Sequence, residues 1–174
     1  MRIVQLAAAG AVMLGAPPAT GELVRRDASG FVSEHRVTIA ATPDRVWSVL
    51  VAPQRWWNAS HTYSGDAANL SLDLRAGGCW CEKLAGGGAV EHMRVVYFEP
   101  GRVLRMRGSL GPLQEGAVTG TMTVTLTPGG NGTELTVRYV VGGYMADGLA
   151  GIAGPVDQVL GGQFDGLARR VNGG

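Results

Sequence analysis

The chain predicts an α+β fold in which a curved antiparallel sheet packs around a long C-terminal helix, with two short helices after the first strand. Three observations predict it. Val156, Val159, Leu160, Gln163, Phe164, Leu167 and Val171 recur at three- and four-residue steps, which is one face of a helix beginning at Pro155. Short segments with two-residue alternation, separated by glycine-rich turns, fill most of the chain before it. Thr42-Pro43-Asp44 marks a helix start soon after the first of those segments.

Phe31 to Ile39 alternates, with Phe31, Ser33, His35, Val37 and Ile39 on one face, and reads as a half-buried strand. Thr42 then caps a short helix that places Pro43 in its first turn and Val46, Trp47, Val49 and Leu50 on its apolar side. Pro53 interrupts it, and Gln54 to Asn58 continues as a second short helix carrying Trp56 and Trp57.

The run Val37 to Leu50, followed by Pro53 and Trp56-Trp57, resembles the opening of the START-like, or Bet v 1-like (SRPBCC), superfamily. The likeness is to its bacterial branch, activators of Hsp90 ATPase and polyketide cyclase/dehydrase-like proteins, and it covers roughly residues 31 to 171. It implies a helix-grip fold: a strand, two short helices, a long antiparallel meander and a C-terminal helix gripped by the sheet. It also implies binders, transporters and a few enzymes, and a possible role towards a partner ATPase.

The rest of the chain reads as a meander on its own residues. Leu70, Leu72 and Leu74 alternate before a turn at Ala76-Gly77-Gly78. Cys79 to Leu84 is a strand with Trp80, Glu82 and Leu84 on one face and Cys79, Cys81 and Lys83 on the other. Val90 to Phe98 is a strand whose alternation does not settle an inward face, and in Val103 to Gly108 the buried positions are Leu104 and Met106. Gly116 to Thr127 sets Val118, Met122, Val124 and Leu126 against five threonines, which suit an exposed pleated face. Pro128 to Gly132 turns into Leu135, Val137, Tyr139 and Val141. Gly142 to Gly154 then reads as a glycine-rich lip or a plain connection. Within the last helix, Gly161, Gly162 and Gly166 are expected either to admit a close neighbour or to leave the helix yielding.

At the other end, Ile3 to Ala16 is an apolar run behind Arg2, too short to span a bilayer and of the length of a secretory signal. Residues 1–21 are therefore expected to be a signal peptide cleaved after Gly21, and residues 22–174 a single domain, periplasmic or secreted, with no membrane insertion after cleavage. Fifteen basic residues against 14 acidic ones leave no footprint for nucleic acid.

No dinucleotide, P-loop, nucleophile-elbow or zinc-protease motif is present, so no cofactor is expected. Cys79 and Cys81, two residues apart in a strand, lie on one face at a spacing unsuited to a disulfide, so free buried thiols or a redox pair are expected instead of a structural bridge. With His92 they would make an incomplete zinc set, and no metal site is expected.

The favoured function is binding of a small hydrophobic molecule (a lipid, a polyketide or an aromatic) between sheet and helix, with Trp56, Trp57, Trp80, Met106, Met122, Tyr139, Tyr144 and Phe164 as lining residues. The alternative is a cyclase/dehydratase enzyme with His35 and Glu82 as an acid/base pair facing the cavity. The plainer reading of His35 and Glu82 is that each is wetted by solvent near a strand end.

Overall fold

The computed structural model describes residues 20–173, so most of the expected signal peptide lies outside the described residues. Eight antiparallel strands form one sheet: β1 (Thr20–Asp27), β2 (Gly30–Ile39), β3 (Leu70–Leu72), β4 (Cys79–Lys83), β5 (Ala89–Glu99), β6 (Val103–Gly108), β7 (Ala117–Gly129) and β8 (Gly132–Tyr144). Their order is β1-β2-β8-β7-β6-β5-β4-β3. The helix α1 (Pro43–Leu50) follows β2, and α2 (Ala150–Gly173) closes the chain against β1 and β2. This is the helix-grip arrangement that the sequence predicts.

Local chemistry explains the agreement. Thr42 accepts from the Arg45 N–H and Pro43 opens α1, and Pro53 starts a single 3-10 turn that delivers Trp56 and Trp57 to the core. In β2, β7 and β8 the alternating apolar positions are the buried ones, so one face of the sheet meets the helices and the other meets water.

β5 was unreadable for a physical reason. Its register slips twice: one extra residue, His92, stands opposite the Trp80–Cys81 step of β4, and another, Val96, opposite the Met106–Arg105 step of β6. Each bulge reverses the alternation, so His92 and Met93 are both buried while Val96 and Tyr97 are both exposed.

β1 was not foreseen; its first residues, Thr20 and Gly21, pair with Arg36 and His35, and the expected cleavage position after Gly21 lies within it. Three expectations need correction. The lip from Gly142 to Gly154 does not exist as a loose segment. β8 runs on to Tyr144, the Gly143 N–H donates to Ser29 O, and the Leu149 N–H donates to Ala28 O. Helix α2 begins at Ala150, not Pro155, because Leu149 and Ala153 are fully buried and extend its apolar face upstream. Pro155 thus sits within the second turn, at an exposed position, and lacks the backbone donor a helix residue supplies there. The third correction is covalent. Cys79 and Cys81 are joined by a disulfide with Cα atoms 5.3 Å apart, less than the roughly 6.6 Å of a regular strand, and the β5 bulge lies directly opposite. The irregularity that brings the two sulfurs together was invisible to a reading based on ideal strand spacing.

Candidate functional site

A cavity of about 400 Å³ opens between three elements: the segment from Trp57 to Tyr63, the 3-10 turn at Gly111–Glu115, and the first half of α2. Its walls are mainly apolar, with Trp57, Leu110, Ile152, Val156, Val159 and Leu160 facing one another. His61, Thr62, Tyr63 and Glu115 supply the polar groups. That size and chemistry match a small-molecule site. The α2 residues follow from helical spacing, because 152, 155, 156, 159 and 160 share one face.

Tyr63 bridges two of the walls by donating its hydroxyl proton to Gly111 O at 3.0 Å. Burial, and then the nearby carboxylates of Glu115 and Glu82, push the phenol above its ordinary value, so it stays a donor across the neutral range. The Tyr63 segment is held from behind. Glu82, 0 % exposed, accepts from the backbone N–H groups of Tyr63 (3.1 Å) and Ser64, and its Oε2 lies 2.9 Å from His92 Nε2. Burial alone would raise this carboxyl, but the bonds from Ser64, Tyr63 and His92 outweigh it and hold the group below its ordinary value. Burial pushes His92 down, against the pull of Glu82. The result is a carboxylate bound by a neutral imidazole, packed behind a cavity wall.

A second, much smaller void of about 10 Å³ lies further along α2, lined by Trp56, Trp80, Met106, Met122 and Phe164 among others. Trp57 stacks edge-on against Trp80, with ring centroids 4.9 Å apart, and against Trp56 at 5.4 Å. The predicted lining residues therefore divide. Trp57 lines the larger cavity; Trp56, Trp80, Met106, Met122 and Phe164 line the inner void. Tyr139 is core: it is fully buried, donates to Gly108 O, and lies over Gly120, where a β-carbon would strike its ring. Tyr144 is 72 % exposed at the end of β8 and lines neither space.

His35 and Glu82 are both buried, so the expectation that solvent wets them fails. They also belong to separate clusters, and neither is among the residues lining the larger cavity. His35 Nε2 lies 3.0 Å from Asp157 Oδ1 and 3.1 Å from Ser33 Oγ, while Ser33 donates to the same Asp157 oxygen at 2.5 Å. A catalytic serine–histidine–aspartate relay needs serine and aspartate on opposite ring nitrogens. Here they share one, and His35 Nδ1 has no partner among the described residues. The arrangement ties β2 to α2. Similarly, Cys79 and Cys81 lie on the face of β4 opposite Glu82, and the His92 side chain is on the Glu82 side. No metal-binding group of histidine, cysteine, aspartate and glutamate occurs among the described residues.

Sequence reading missed Thr62, Tyr63 and the Leu110 to Glu115 turn. Their only signal was a Gly111-Pro112 punctuation, which marks a turn but not what it faces.

A curved sheet gripping a C-terminal helix, with a cavity between that helix and the segments that cover it, defines the class: a helix-grip protein, a fold consistent with small-molecule binding. The chain belongs to the polyketide cyclase / dehydrase and lipid transport family, whose model matches residues 31–172. No curated protein is significantly similar in sequence. Solved structures share the fold. A putative uncharacterized protein from Rhizobium leguminosarum superposes with a TM-score of 0.61 at 18% identity, covering 91% of this chain and 100% of its own. CalU16 from Micromonospora echinospora gives 0.60 at 19% identity, covering 89% and 87%. Mll3558 from Rhizobium loti gives 0.58 at 22%, covering 88% and 99%.

Proposed function

We propose that the protein binds a small, mainly apolar molecule, of lipid, polyketide or aromatic type, in the cavity between Trp57–Tyr63, the Gly111–Glu115 turn and α2. The observation that carries this reading is the cavity itself: about 400 Å³ of apolar-walled space with a few polar groups. The family's description, which includes lipid transport, supports the same class of ligand.

The test is to fill the space. A naphthalene-type fluorescent probe is expected to bind the wild-type protein and raise its melting temperature. Val156→Trp, on the cavity face of α2, is expected to abolish binding while leaving the unliganded protein folded. Undiminished probe binding by the Val156→Trp protein would show that the ligand sits elsewhere.

We also propose that the protein works outside the cytoplasm. The apolar run from Ile3 to Ala16 supports export, and the Cys79–Cys81 disulfide suits an oxidising compartment. Because Thr20 and Gly21 pair within β1, cleavage upstream of Thr20 would preserve the sheet edge. N-terminal sequencing of protein recovered from the periplasm checks this; recovery only from cytosol with the leader intact would refute it.

A further inference from the structure

We infer that the indole N–H of Trp80 is the polar anchor at the inner end of the ligand site, which takes a flat, mainly apolar molecule carrying a hydrogen-bond acceptor oxygen at its buried end. The inference rests on the reading of the cavity as a ligand site and adds what its deep end recognises.

Three indole groups meet here, and one differs. Trp56 Nε1–H donates to Leu50 O and Trp57 Nε1–H donates to His61 O, each at 3.1 Å. Trp80 is 3 % exposed, and its Nε1–H has no acceptor among the described residues. A buried donor without an acceptor is rare in native proteins and calls for a reason. Trp80 lines the inner void, whose volume of about 10 Å³ is at the lower limit for one water and whose other walls are almost wholly apolar. A water there would find one partner where it needs two or more. An acceptor atom on a ligand needs only the one.

The void is placed to be the end of the larger cavity. Leu160 lines the larger space and Phe164, one helical turn on, lines the void, so the two lie one above the other along α2. Trp57 stands at their junction, since it lines the first and stacks on Trp80, which lines the second. Its ring is held by the bond to His61 O and by edge-on packing on Trp80 and Trp56. A ligand that reaches Trp80 displaces that indole and so joins the two spaces, and the unbranched side chains of Met106 and Met122 give the inner wall the adaptability to widen.

The experiment uses a matched pair, fluorene and 9-fluorenone, which differ by one carbonyl oxygen. The wild-type protein is expected to bind fluorenone roughly 2- to 10-fold more tightly than fluorene, the worth of one net hydrogen bond. Trp80→Phe is expected to lose the preference, binding fluorene and fluorenone with equal affinity. In ¹H–¹⁵N spectra of the wild-type protein, the Trp80 indole resonance is expected to move downfield with fluorenone and not with fluorene. This reading needs no variant to fold.

Equal wild-type affinities, a preference that survives Trp80→Phe, or a Trp80 resonance unmoved by bound fluorenone would overturn the inference while leaving the ligand site standing. If neither compound binds, both this inference and the proposed ligand site fail.

Discussion

The imidazole of His35 lies against Gly161: a β-carbon at that helix position would stand 3.0 Å from His35 Cε1 and 3.2 Å from Nδ1. On the ring's other side Gly21 sits opposite His35 in β1, where a β-carbon would collide with it. A buried imidazole thus occupies the room that two glycines leave, and α2 approaches the sheet as closely as it does because residue 161 has no side chain.

The glycines of α2 therefore separate by role. At Gly162 an added methyl meets nothing within 4 Å, so Gly162→Ala is expected to stabilise the protein by roughly 0.5–1 kcal/mol through helix propensity alone. Gly161→Ala gains the same term but presses on a ring pinned by Ser33 and Asp157, and is expected to destabilise by about 1 kcal/mol. Urea denaturation of the two variants decides it. Equal stabilisation by both would mean that His35 moves freely.

Removing Glu82 leaves three donors without their acceptor, from Tyr63, Ser64 and His92. Glu82→Ala is expected to cost about 3 kcal/mol, in the range for breaking a buried charge-assisted network. Amide exchange should quicken at Tyr63 and Ser64 first, and probe binding should weaken because that segment forms a cavity wall. Unchanged exchange at those two amides would remove Glu82's role as the wall's support.

The same pair makes stability depend on pH. His92 is held below its ordinary value near 6.5, so as pH falls through that value the unfolded chain takes up a proton that the folded chain refuses. Glu82 is held below its ordinary 4.5, so its contribution is complete above that value and is lost as pH falls through its depressed folded value. Both effects weaken the fold in acid. Stability is expected to decline from about pH 6.5 downwards, by on the order of 1 kcal/mol for each unit by which His92 is displaced. Denaturation midpoints across pH 5 to 7, compared with His92→Gln, test the assignment; a variant with the wild-type slope would place the proton elsewhere.

The disulfide closes a very short loop, so it restricts the unfolded chain little. Replacing both cysteines by serine is expected to cost roughly 1.5 kcal/mol by the loop-entropy relation. Non-reducing mass spectrometry should find the oxidised pair in protein isolated from its host, and two alkylatable thiols there would contradict the bridge.

How much of this was legible depended on whether the local pattern carried the information. His35 could be assigned to the inner face from alternation, but its partner Asp157 is 122 positions away and no spacing announces it. Glu82 was likewise placed on the face of Trp80, yet its burial comes from a segment 18 residues upstream folding over it. In β5, two bulges cancelled the alternation that made β7 plain.

The residues alone determined the α+β class and a C-terminal helix packed on an antiparallel meander, because hydrophobic period, proline and glycine act within a few positions of themselves. Only the tertiary structure decided where space remains. The volume beside Val156 and Val159 is what is left after three separate segments pack, and the indole donor of Trp80 is left without an acceptor among the described residues by the same packing. Both are remainders of long-range packing, which one-dimensional periodicity does not encode.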